Sequence, residues 1–102
     1  MYNRTVSSTL TPYQNELLTI LQEECGETVQ EICKIFRFGI ANNSHHIEGK
    51  SHLQCLTQEM GDILAMIELV KDADIGITNE ALAAAKQAKL NKVVLWMTHA
   101  KN

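Results

Sequence analysis

Two pairs of acids each span one helical turn, and one of the pairs is set into a segment that is otherwise almost wholly apolar. The stretch "EMGDILAMIELV", Glu59 to Val70, holds Glu59 and Asp62 among Met60, Ile63, Leu64, Met66, Ile67, Leu69 and Val70. Upstream, "EECGE", Glu23 to Glu27, repeats the spacing with Glu24 and Glu27, and a glycine (Gly26, Gly61) precedes the second acid each time. Residues three apart lie on one face of a helix and on opposite faces of a strand. A carboxylate withdrawn from water is costly unless something neutralises it. A fold for this chain therefore has to be helical at both places and has to bring a proton or a cation to the acids.

The rest of the pattern is helical too. "TPYQ" is a helix start: Thr11 caps, Pro12 suits the first helical position, and Gln14 completes a capping box. From there Leu17, Leu18, Leu21, Cys25, Val29, Ile32 and Phe36 recur at three- and four-residue steps, so a first helix is expected over residues 12–38 with Gly39 as its C-cap. Residues 40–51, "IANNSHHIEGKS", have the chemistry of a loop. Ser51 can cap a second helix carrying Leu53, Leu56, Met60, Ile63, Leu64, Ile67 and Val70, "KDADIGIT" breaks it, and Thr78 or Asn79 opens a third, alanine-rich helix. No segment alternates like a half-buried strand. The expectation is one all-α domain over residues 1–102, with three main helices, an extra turn around 72–77 as an option, and residues 1–10 as a flexible N-terminal segment.

At 102 residues the chain buries only a modest core, so subunits that complete each other's core are expected. A net charge of -3 argues against binding to a nucleic-acid polymer, which wants a basic patch. No apolar run approaches the ~20 residues of a membrane span, and "MYNRTVSSTL" lacks a signal-peptide core. Cys25, Cys33 and Cys55 have no C-x-x-C spacing and are read as reduced thiols of a cytoplasmic protein.

Helical geometry at about 100° per residue puts Glu24, Glu27 and Glu31 in one arc, with Glu24 at the edge of the apolar stripe through Leu17, Leu21, Cys25, Val29 and Ile32. On the second helix Glu59 and Asp62 fall beside Met66, Leu69 and Val70, while the polar arc runs through Gln58, Gly61 and Glu68. Four carboxylates at one helix–helix seam repel: two unit charges ~5 Å apart cost roughly 3 kcal/mol at an effective dielectric near 20. Divalent cations are the natural counter-charge at cytosolic pH, and an all-carboxylate set suits Mg²⁺ or Mn²⁺. A di-iron bundle would carry Glu-x-x-His motifs, whereas the matching positions are Glu27 and Asp62. The two glycines permit close helix approach or a ligand near the backbone, or reflect plain packing.

E-x-x-E on one helix (Glu24, Glu27) and E-x-x-D on the next (Glu59, Asp62), about thirty residues apart, resembles the all-α nucleoside triphosphate pyrophosphohydrolases. These are the MazG-like proteins, related to dimeric dUTPases and phosphoribosyl-ATP pyrophosphohydrolase. "EECGETVQEICKIFRFG" followed by "EMGDIL" looks most like the short single-domain forms found in phages, and the likeness spans residues 11–97. The resemblance implies a helical bundle that is a homodimer or homotetramer. It implies hydrolysis of a nucleoside triphosphate to the monophosphate and pyrophosphate, in the cytoplasm (of the host, for a phage protein). It further implies Mg²⁺ held at Glu24, Glu27, Glu59 and Asp62, Glu24 as the base that activates water, and Glu23 as an outer contact. A purine deoxynucleotide is the substrate suggested by the small phage members.

Other residues are weighed against plainer roles. Lys86, Lys89 and Lys92 repeat every three residues on the third helix. A solvated face explains them, but basic residues on the family's last helix contact phosphates, so Lys89 and Lys92 join the substrate-binding candidates. Lys34 continues the acid side of the first helix, and Arg37 with Phe38 precedes the loop; Lys34 and Arg37 are candidates for the same role. His45 and His46 are a loop feature, or a lid over the nucleotide. His52 and His99 show no pattern, and Trp96 suits an interface. Two rivals stand beside the hydrolase: a non-catalytic interaction module whose acids form salt bridges with Lys34 and the third-helix lysines, and the same fold acting on phosphoribosyl-ATP.

Overall fold

The computed structural model describes residues 9–41 and 49–99. These form three helices and no strand: α1 (Pro12–Phe38), α2 (His52–Lys71) and α3 (Asn79–Trp96). Calls that fall on residues 1–8 and on His45 and His46 lie outside the described residues.

Local chemistry sets each boundary. Thr11 and Gln14 form the capping box of α1, with the Thr11 side chain accepting from the Gln14 N–H and Gln14 Oε1 accepting from the Thr11 N–H. Ser51 and Gln54 repeat the arrangement at the start of α2, and Thr78 caps α3 by accepting from the Ala81 N–H. Gly39 ends α1 with φ 95°, a left-handed conformation that a Cβ would strain. Residues 72–76 make turns and bends, not a fourth helix. Among the described residues, no helix is long and apolar enough to cross a membrane.

α1 and α2 pack as an antiparallel pair, and along their contact the chemistry changes in three zones. At the N-terminal end of α1, Leu17 meets Met66 and Val70, with Leu18, Ile20, Leu21, Ala73 and Ile75 against them. Gln14 closes this end, its Nε2 donating to the Ala73 carbonyl at 2.7 Å. The middle zone holds the acids. At the far end His52 is fully buried, its Nδ1 lies 2.9 Å from Glu31 Oε1, and its ring stacks on Phe38 at 6.0 Å between centroids.

The buried face of α1 follows the expected stripe at Leu17, Leu18 and Leu21 and departs from it further along the helix. Cys25 and Val29 are exposed and Phe36 is 83 % exposed, while Gln14 and Glu31 are buried. α1 is rotated so that the line Gln14–Leu17–Glu24–Glu31 faces α2. Polar side chains with partners win that face because each end of the pair offers one: the Ala73 carbonyl for Gln14, His52 for Glu31.

α3 contributes little to this pair. Among the described residues it has none that is buried, and the extensive helix packing is that of α1 on α2. The radius of gyration is accordingly 17.2 Å, against about 13 Å for a compact chain of this length.

Candidate metal centre

The middle zone brings together carboxylates from both helices. One oxygen from each of Glu24, Glu27 and Glu59 lies within 4.8 Å of the others. Asp62 is close enough for its charge to act on both Glu24 and Glu59. Glu24 and Glu27 come from successive turns of α1, Glu59 and Asp62 from successive turns of α2. The antiparallel packing fixed by the two ends brings those turns opposite each other.

The carboxylates act on one another. Burial, and then the charge of Glu27 beside it, push the Glu24 carboxyl above its ordinary range. The same causes in the same order raise Glu59 to about 7. One oxygen of Glu24 and one of Glu59 are buried without a hydrogen-bond partner. A buried acceptor left unmatched costs about 1–3 kcal/mol, more when charged. Among the described residues no lysine, arginine or histidine lies within ion-pair distance of Glu24, Glu27, Glu59 or Asp62. The donor set is entirely carboxylate oxygen, so the residues fit a hard divalent cation such as Mg²⁺ or Mn²⁺.

The basic candidates are placed less directly. Lys34 Nζ is 3.9 Å from Glu31 Oε2, one turn beyond Glu27, so it borders the acids. Arg37 is exposed and lies 5.0 Å over the Phe38 ring at the end of α1. Lys89 and Lys92 lie 4.8 and 5.8 Å over the Trp96 ring, on α3. Within one chain, then, the structure groups three of the four acids, Glu24, Glu27 and Glu59, with Asp62 beside them, sets Lys34 next to them, and leaves Lys89 and Lys92 on another element.

The residue that sequence reasoning missed is His52. It is the first residue of α2, at no periodic position, and its partner Glu31 is 21 residues away. Glu31 was legible as a member of the acid arc, but its oxygen faces His52 and not the carboxylate group. Cys55 is no substitute nucleophile: burial, then the Glu31 charge, push its thiol up and keep it protonated.

Comparison of the chain with protein-family models, with curated proteins and with solved structures returns no match.

Proposed function

We propose that this chain is a Mg²⁺-dependent nucleoside triphosphate pyrophosphohydrolase of the MazG-like kind. The observation that carries the reading is the convergence of Glu24, Glu27 and Glu59, with Asp62 beside them, on one place between two helices, with no basic partner among the described residues. Mg²⁺ (or Mn²⁺) held there would offset the negative charge of a bound triphosphate and acidify a bound water. Glu24 is the base: it takes the proton as water attacks the α-phosphorus. Glu27, Glu59 and Asp62 bind and orient. Lys34 supports a phosphate from the neighbouring turn, Arg37 extends the wall toward the loop, and Lys89 and Lys92 reach the phosphates from α3, in this chain or a neighbouring one. The P–O bond between the α- and β-phosphates breaks, releasing the monophosphate and pyrophosphate. The substrate is a (deoxy)nucleoside triphosphate, and the choice of a purine deoxynucleotide rests on the likeness to small phage forms.

The rival of a salt-bridged interaction module has less support, because the acids it needs to pair have no basic partner among the described residues. A panel of NTPs and dNTPs, with phosphoribosyl-ATP included, incubated with the protein and Mg²⁺ and assayed for pyrophosphate decides the matter. Pyrophosphate release from one class is the expected result. Orthophosphate alone, or no turnover with any triphosphate, overturns the reading.

A further inference from the structure

The three zones of the α1–α2 seam share one register. Leu17 lies with Met66 in the buried core, an oxygen of Glu24 lies within 4.8 Å of one of Glu59, and Glu31 Oε1 is 2.9 Å from His52 Nδ1. Each step along this ladder is seven residues forward on α1 and seven back on α2. Seven residues are close to two turns, so the three rungs stack along one line of an antiparallel pair.

The rungs differ in what they can specify. A slip of α1 by one turn, about 5 Å, would set Leu21 on Met66, Thr28 on Glu59 and Ile35 on His52. The apolar rung tolerates this, because hydrophobic contact has no direction. The acid rung sets like charges together, so without a cation it opposes the register it occupies. The Glu31–His52 rung is directional: a carboxylate and a ring nitrogen at hydrogen-bond distance, on residues 6 and 0 % exposed. Gln14 binds the Ala73 carbonyl, in the turn after α2 and not on the helix itself. At the His52 end, Phe38 stacks on the ring and the Leu53 N–H donates to the Ile40 carbonyl at 2.8 Å; both tie the last residue of α1 or the chain beyond it. A buried ionic pair adds little stability over well-packed apolar side chains. What it can supply is a single alignment, as a buried polar residue does in a coiled coil.

We propose that His52 is a positioning residue for the acids: by holding Glu31 it locks α1 on α2 in the one register that sets Glu24 and Glu27 against Glu59. It stands two turns from Glu59 and acts through Glu31. The repulsion of the middle rung is thereby held between an apolar anchor at one end and an ionic one at the other. The acids are then assembled before a cation arrives, and the cation does not have to draw the helices into line. The consequence for a bound metal rests on the function proposed above; the register does not.

Two measurements on the full chain test register and metal separately. With Cys25 and Cys55 replaced by serine, nitroxide labels on Cys33 and on Gln58→Cys, both exposed positions, report the α1–α2 distance by double electron–electron resonance. Dilution with unlabelled protein restricts the signal to pairs within one chain. In unlabelled protein, the electron spin resonance of Mn²⁺ reads binding at the acids. The test variant is Glu31→Met with His52→Leu, which removes the pair without leaving a lone buried charge. It is expected to melt at or above the wild-type temperature. Its distance distribution should broaden or shift by about 5 Å, and Mn²⁺ should bind about 10-fold more weakly or worse. The exchanged pair, Glu31→His with His52→Glu, should restore the narrow distance and most of the affinity. A wild-type distance in the apolar variant overturns the proposal and leaves the Leu53–Ile40 backbone contact as the determinant. So does an apolar variant that does not fold, since the pair would then hold the fold and not choose its alignment. Unchanged Mn²⁺ affinity in a shifted register, or an exchanged pair that restores neither readout, overturns it too. A wild type that binds no Mn²⁺ while the distances respond as expected leaves the register standing and removes the metal reading of the acids.

Discussion

Glu59→Gln should make this protein more stable at neutral pH. Glu59 is raised from its ordinary value of 4.5 to about 7, by burial first and by the charge of Glu27 next. Between those two values the folded chain keeps a proton that the unfolded chain has released. Raising the pH through that window therefore favours unfolding, and the loss is complete above about 7. At full weight the shift corresponds to about 3 kcal/mol. The carboxyl is not sealed from water, and solvent screening reduces this to about 1–2 kcal/mol. Urea unfolding followed by circular dichroism, at one fixed protein concentration because association would move the midpoint, reads the effect. The wild type should lose about 1–2 kcal/mol between about pH 5 and pH 8, and Glu59→Gln should show a flatter profile and exceed the wild type at pH 8. Millimolar Mg²⁺ should restore the wild type at pH 8 and do little for the variant. The reasoning fails if the wild type gains stability over that window, or if the variant is the less stable protein at pH 8. A Mg²⁺ response equal in both would place the cation elsewhere.

Three further perturbations separate chemistry from scaffolding. Glu24→Gln should lower turnover by about 10²–10⁴-fold, the usual contribution of a general base, with an unchanged or higher melting temperature because its charge is disfavoured in the fold; near-native activity would mean another base. His52→Ala removes the partner of a buried carboxylate and should cost about 3 kcal/mol or more in a denaturant titration, and a cost under about 1 kcal/mol would show that Glu31 finds water instead. Thr11→Ala loses one half of the capping box and should cost about 1 kcal/mol, measured the same way.

The local part of this structure was written in the sequence. Thr11, Ser51 and Thr78 cap because a hydroxyl can reach the free N–H groups of the next turn wherever the chain goes afterwards, and Gly39 ends α1 because its backbone adopts a φ closed to other residues. The carboxylate pairs were legible for the same reason, since a three-residue step fixes a shared face on any helix. Which face α1 buries was decided only by the tertiary structure. Periodicity pointed through Cys25 and Val29, but the face that won is the one whose polar members, Gln14 and Glu31, find partners on α2 and the turn after it. Those partners are 59 and 21 residues away in the chain, beyond the reach of any local pattern. The same holds for α3, whose propensity makes it a helix while nothing in its own sequence states what it packs against. Short-range hydrogen bonding and helical period determine elements; burial is a property of pairs, and only the assembled helices choose it.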